Sequence, residues 1–162
     1  MRQNEKGLTL IETMMILAAV GILATIAIPP AYQAYENSIA REQVANALTL
    51  LDSVKKPISA FYVENKRWPQ KAEFDNLVSV QSGKYIENLT SRVLSGGFQV
   101  TATFKNTGGS AGPAKDNAGR TLVLATADGS KWICNDDTNP DTGVPGLVPG
   151  NVLKEHRPDA CK

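Results

Sequence analysis

The chain is poor in the residues that most site chemistry needs. Its 162 residues include one histidine, His156, and two cysteines, Cys134 and Cys161. One imidazole and two distant thiols fall short of a zinc site at any standard spacing, so no resident metal or cofactor is expected. His156 sits between Glu155 and Arg157 with no second histidine and no nucleophile motif. It is read as a solvated loop residue, and the chain as not an enzyme. Neither charge is in excess: 17 Lys and Arg face 16 Asp and Glu, for a net charge of +1. That balance excludes the broad basic field that draws proteins onto nucleic acid or acidic lipid. The pairs Gly96-Gly97 and Gly108-Gly109 do not open a helix after a strand at phosphate-cradling spacing and are read as turns. Asn88-Leu89-Thr90 has the form of a glycosylation acceptor and carries little weight alone.

What is present lies mainly at the two ends. The stretch between the cysteines holds Pro140, Gly143, Pro145, Gly146, Pro149, Gly150 and Pro158. Its turn-rich make-up favours a disulfide-closed loop over two free thiols, and a disulfide calls for an oxidising compartment. Asp136, Asp137 and Asp141 cluster in this loop but match no calcium-loop spacing, so they are read as a solvated acidic surface.

At the other end, residues 1–7 are short and polar and carry Arg2 and Lys6. From residue 8 to residue 28 the only charge is Glu12. As a helix rising about 1.5 Å per residue this run would cross a hydrocarbon core of about 30 Å. It exceeds the apolar region of an ordinary secretory signal, so any cleavage is expected before the helix. The basic residues on its short side orient the N-terminus to the cytoplasm and the remainder to the periplasm. A carboxylate within such a run needs a partner or a place at the interface. The residues alone leave two readings of Glu12 standing: pairing with an amine newly made by cleavage, or snorkelling into the headgroups.

Gly7-Leu8-Thr9-Leu10-Ile11-Glu12, followed by an apolar helix through Gly21, Ile22 and Leu23 to Ile28-Pro29, resembles the processing and assembly motif of type IV prepilins. The likeness is close over about residues 1–35 and looser over the following amphipathic helix and the C-terminal cysteine loop, which is typical of the type IVa group. The family usually has phenylalanine where Leu8 stands. The resemblance implies a prepilin peptidase cutting between Gly7 and Leu8, N-methylation of Leu8, and Glu12 pairing with the N-terminal amine of a neighbouring subunit. It further implies a filament of identical subunits, an inner-membrane assembly machinery with separate ATPase motors, and an inner-membrane precursor that becomes an extracellular pilus. Twitching motility, adhesion to a host or surface receptor, biofilm formation and DNA uptake are uses found in that family. A minor pilin that binds DNA or a receptor, and a type II secretion pseudopilin, share the N-terminal motif. The pseudopilins commonly lack the cysteine loop. DNA binding has weak support, because Asp52, Glu64 and Glu73 interleave with Lys55, Lys56, Lys66, Arg67 and Lys71.

The expected organisation is a leader at 1–7, a transmembrane and filament-core helix at 8–28, an amphipathic half-helix at 29–65, and a globular head at 66–162. Val44, Leu48, Leu51, Val54, Ile58 and Phe61 recur at helical spacing and are expected to pack on a sheet. Pro29-Pro30 predicts a strong break, and Pro57 a kink or loosened last turn. Residues 68–95 are read as a partly ordered connecting loop, and 106–119 as a mobile hairpin connection. Strands are expected at 98–104, 121–127 and 131–134, with Asp128-Gly129 as a hairpin turn. The predicted fold is α+β, a long N-terminal helix packed on a four-stranded antiparallel sheet with a disulfide-closed C-terminal loop.

Overall fold

A computed structural model of the chain describes residues 9–106, 115–134 and 144–161, with the backbone alone at 24–31, 115 and 160. The chain divides into two units, residues 1–36 and 37–162.

The first unit is helical from Leu10 onward, in a helix, α1, that spans Leu10–Asn65. Thr9 starts it: its carbonyl accepts from the Glu12 and Thr13 amides at 3.1 Å, and its hydroxyl from the Glu12 amide at 3.4 Å. A threonine ahead of the first turn with glutamate three residues on is a helix-start signature, because the hydroxyl satisfies an amide that has no partner within the helix. The assignment continues through Pro29-Pro30 without interruption, so the expected break is absent. Two prolines remove two amide donors, and the helix nevertheless continues on both sides of the loss. Pro57 likewise does not end α1, which closes eight residues later. The terminator is Lys66, at φ 54°, whose amide still reaches the Tyr62 carbonyl at 2.9 Å. A left-handed residue just past the last turn is the usual way a helix stops.

In the second unit, α1 buries Ala40, Val44, Ala47, Leu51, Val54 and Ile58, the three- and four-residue spacing of a single face. That face shares a core with Phe98, Val100, Phe104, Leu122 and Leu124 of the sheet and with Phe74 of a short helix, α2 (Lys71–Leu77). The sheet is an antiparallel meander, β1 (Ile86–Leu94), β2 (Gly97–Phe104), β3 (Thr121–Thr126) and β4 (Trp132–Cys134), in spatial order β1-β2-β3-β4. Phe98, Val100, Ala102 and Phe104 alternate toward α1. Ala125, of opposite parity in register with Gln99, joins Leu94 and Val144 in a second, smaller cluster. The start of the C-terminal segment thus covers the other face of the sheet, while Val152 further on joins the main core.

Three strands fall within about one residue of expectation. The stretch 68–95 does not remain a loop: it holds both α2 and β1. In β1 the burial repeats at every third residue near its start, Ile86 and Leu89, because the register shifts between Ile86 and Asn88. A bulge in a polar edge strand erases the two-residue alternation that marks a strand in sequence. Most of the expected hairpin connection at 106–119 lies outside the described residues, and 115–117 form a 3-10 turn.

Candidate functional site

Two places carry the features singled out in sequence: the first turn of α1 and the C-terminal closure. Gly7 and Leu8 lie outside the described residues. Glu12 is the third residue of α1 and is exposed. Its position in the first turn places a carboxylate where unpaired amides make the helix end positive. Around it Leu10, Ile11, Met15, Leu17, Ile22 and Leu23 are exposed by half or more of their surface. A helical stretch whose described apolar side chains, Leu10 to Leu23, stand exposed on all sides requires an apolar environment from elsewhere. Among the described residues no helix is long and apolar enough to cross a membrane. The 8–28 run is covered only in part by described side chains.

At the other end the two cysteines are joined. Cys134 closes β4 and Cys161 lies in a 3-10 turn, with their Cα atoms 4.9 Å apart across 27 positions. Residues 135–143, with Asp136, Asp137 and Asp141, are outside the described set. Residues 144–161 form a strap tied to the sheet by side chains that imitate strand pairing. Gln99 receives the Val148 amide on Oε1 and donates Nε2 to the Val148 carbonyl, each at 3.0 Å. Asn151 accepts the Thr121 amide on Oδ1 at 2.6 Å, while its own amide donates to the Thr121 carbonyl at 3.0 Å. Arg157 folds inward, its Nε donating to the Val152 carbonyl at 2.8 Å.

His156 is not solvated; it is 1% exposed. Its ring meets Asn117, which is fully buried and donates to the Ala40 carbonyl and to Gln43 of α1. The flanking charges that suggested a surface loop turn elsewhere: the Glu155 side chain stays exposed while its carbonyl accepts from Arg41 Nε at 3.1 Å. Sequence reading missed Gln43, Gln99, Asn117 and Asn151 because each acts through a partner 30 or more positions away, and spacing carries no trace of that.

The basic stretch near the end of α1 is partly neutralised. Arg67 grips Glu73 with NH1 on Oε2 at 2.7 Å, and Glu73 also accepts the Gln70 amide at 2.8 Å to cap α2. The Arg67 hydrogen bond, then the Gln70 amide, hold the Glu73 carboxyl down at about 2. Lys55 pairs with Asp52 at 2.6 Å. In the β3–β4 turn, the amides of Lys131 and Ser130 hold the Asp128 carboxyl at about 2, and Gly129 sits at φ 77°, as the Asp-Gly pair predicts.

Comparison with known proteins agrees with this architecture. The model of the family described as Pilin (bacterial filament) matches residues 40–162. The fimbrial protein EcpC of Eikenella corrodens is 35% identical over 86% of this chain and 88% of its own length. The type IV major pilin protein PilE1 of Neisseria gonorrhoeae is 32% identical over all of this chain and 89% of its own. A fimbrial protein of Pseudomonas aeruginosa is 28% identical over 93% of this chain and 97% of its own.

Proposed function

The chain belongs to the pilin family of bacterial filament proteins, and from that premise we propose that it is a structural subunit of a type IV pilus, made as a membrane-anchored precursor and assembled through α1. The observation that carries the reading is the first turn of α1: an exposed carboxylate, Glu12, at the head of a helix whose described apolar side chains from Leu10 to Leu23 are exposed. Residues 1–7 are the leader, 8–28 the anchor and later the filament core, 29–65 the amphipathic half of the helix, and 66–162 the head. A prepilin peptidase cuts between Gly7 and Leu8, and Leu8 becomes the methylated first residue. The new amine pairs with Glu12 of an adjacent subunit and sets axial register, because a carboxylate leaving the bilayer among apolar helices needs a counter-charge. Extension and retraction come from separate ATPases in the inner membrane, and the assembled filament is extracellular. The filament serves twitching, biofilm formation, DNA uptake or adhesion, with the strap and its acidic loop as the surface offered to a receptor.

The disulfide favours this reading over a type II secretion pseudopilin. The pairing of Arg67 with Glu73 and of Lys55 with Asp52 weakens the case for a minor pilin with a DNA groove. The test is intact mass and N-terminal sequencing of sheared surface filaments, compared with a Glu12→Ala strain. The expected major species begins at Leu8 with one added methyl group and is missing from filaments without Glu12. A cleaved chain found only in trace amounts makes it a minor pilin or a pseudopilin. Retention of residues 1–7 overturns the reading.

A further inference from the structure

The start of the strap is a rigid apolar projection. Pro145-Gly146 form a tight turn closed by the Leu147 amide on the Val144 carbonyl at 3.3 Å, with Gly146 at φ 83°. Proline followed by a residue of positive φ is the type II pattern, which glycine adopts without strain. The Pro145 carbonyl accepts from Ser95 Oγ at 3.3 Å, which seats the turn on the β1–β2 connection. Gln99 takes both backbone groups of Val148, and Pro149 after it has no amide to donate. Val148, 47% exposed, can therefore leave water without stranding its own amide or carbonyl.

Elsewhere on the head lies a groove. Asn46, Thr49, Leu50 and Ser53 of α1 face Val80 and Ile86 across a cavity of about 330 Å³. A second cavity of about 240 Å³ continues it past Ser53 and Val80 to Pro57 and Leu77. The hydroxyls on the helix wall spend their only hydrogens on α1: Thr49 Oγ1 donates to the Ala45 carbonyl at 3.0 Å and Ser53 Oγ to the Leu50 carbonyl at 2.6 Å. Neither hydroxyl asks an occupant for an acceptor, and Val80 at the lip is 55% exposed.

We infer that the Val148 projection of one copy seats in the Asn46–Ile86 groove of the next, as a contact between heads in the assembled filament; this rests on the subunit reading above. Gln99, which holds Val148, points away from the face of the sheet that Phe98 turns to α1, whereas α1 itself is a wall of the groove. The groove also lies at the first residue of β1 and the Ser95 seat just past its last, about 25 Å apart along the strand. A copy therefore does not fill its own groove. Joining two different patches leaves one of each free at the ends, so the contact grows into a chain and does not close a two-fold dimer. Charge favours the same partner. Lys84, 70% exposed, lines the groove and Lys56 follows Ser53 by about one helical turn, whereas Asp136, Asp137 and Asp141 precede the projection in sequence. Only residues 145–149 of the strap are used, so the remainder stays at the filament surface.

The test is made on sheared surface filaments. With Val80→Cys and Val148→Cys in one chain, oxidation is expected to give a ladder of covalent dimers, trimers and higher species, while each single variant stays monomeric. Val148→Asp is expected to lower filament yield several-fold and to leave the thermal midpoint of the full chain in uncharged detergent micelles unchanged. Val80→Lys in the same chain is expected to restore most of that yield, since the carboxylate in the groove then meets a counter-charge at its lip. Filaments of the paired-cysteine chain without a ladder, dimers from a single-cysteine variant, or full yield from Val148→Asp overturn the inference and leave the subunit reading standing. Where the cysteine pair itself prevents assembly, failure of Val80→Lys to rescue Val148→Asp overturns it. Absence of any filament from the unmodified chain overturns both.

Discussion

Gly97 shows how little room a single position has where the sheet meets the strap. A Cβ there would collide with the Thr126 carbonyl oxygen and stand 3.0 Å from Val144 Cγ1 and 3.1 Å from the Ala127 Cα. The first neighbour is backbone held in the β2–β3 ladder, where Phe98 pairs with Thr126, so it cannot step aside cheaply. Gly97→Ala is expected to cost about 1 to 3 kcal/mol, the range for overpacking a filled site, and to lower the thermal midpoint of the full chain in micelles. At the surface the decisive residues are charged. Glu73 and Asp128 both titrate near 2 in the folded chain, below ordinary values of 4.5 and 3.8. A carboxylate with a depressed folded value contributes stability that is complete above its ordinary value and fades as pH falls toward the folded one. Glu73→Gln is therefore expected to lower the melting temperature at pH 7 and to reduce its loss between pH 4.5 and 2, with the two chains converging at the acid end. Parallel melting curves for the two chains across that window would mean that Arg67 and the Gln70 amide give Glu73 no advantage.

At the scale of elements, legibility followed periodicity. The amphipathic part of α1 was readable because Val44, Leu51, Val54 and Ile58 point one way for about four turns, and β2 and β3 because both are β-branched, apolar runs facing a core. The β3–β4 turn was readable because Asp128-Gly129 states its own geometry, and the Asp128 carboxylate accepts from the Ser130 and Lys131 amides. The first turn of α1 carries a start signal that the sequence reading did not use, Thr9 with Glu12 three residues on. β1 was hidden by its bulge and by its edge position, which lets Glu87, Asn88 and Arg92 face water. The prolines misled for a different reason: they describe a local loss of donors, whereas continuation of a helix depends on the residues on either side. His156 misled because its neighbours in sequence are charged and exposed while its neighbours in space, Asn117 and Gln43, come from a 3-10 turn and from α1. Local chemistry identified the ends of the chain, and packing between distant segments decided what lies between them.

For the molecule as a whole, the disulfide is the connection that turns a two-layer packing into a three-layer one. Without it, the strap would be held by Gln99 and Asn151, by Val152 in the main core and by the small cluster of Val144, Leu94 and Ala125, all contacts that residues 144–161 must find across a long connection. Joining Cys134 to Cys161 restricts the unfolded chain over a loop of nearly thirty residues, which contributes roughly 3 to 4 kcal/mol in the chain-entropy account. The main core, Val44 through Ile58 against Phe98, Val100, Leu122 and Leu124, is met by Cys134 only at its partly buried margin. The double variant Cys134→Ser with Cys161→Ser is therefore expected to keep its helix and sheet while losing roughly that stability. Hydrogen exchange should localise the change: the amides of Thr121, Val148 and Val152, whose partners cross between strap and sheet, should exchange faster by a larger factor than those of Val100 and Leu124. Uniform acceleration across every amide would mean that strap and core unfold together, and that the disulfide braces the whole head instead of one layer of it.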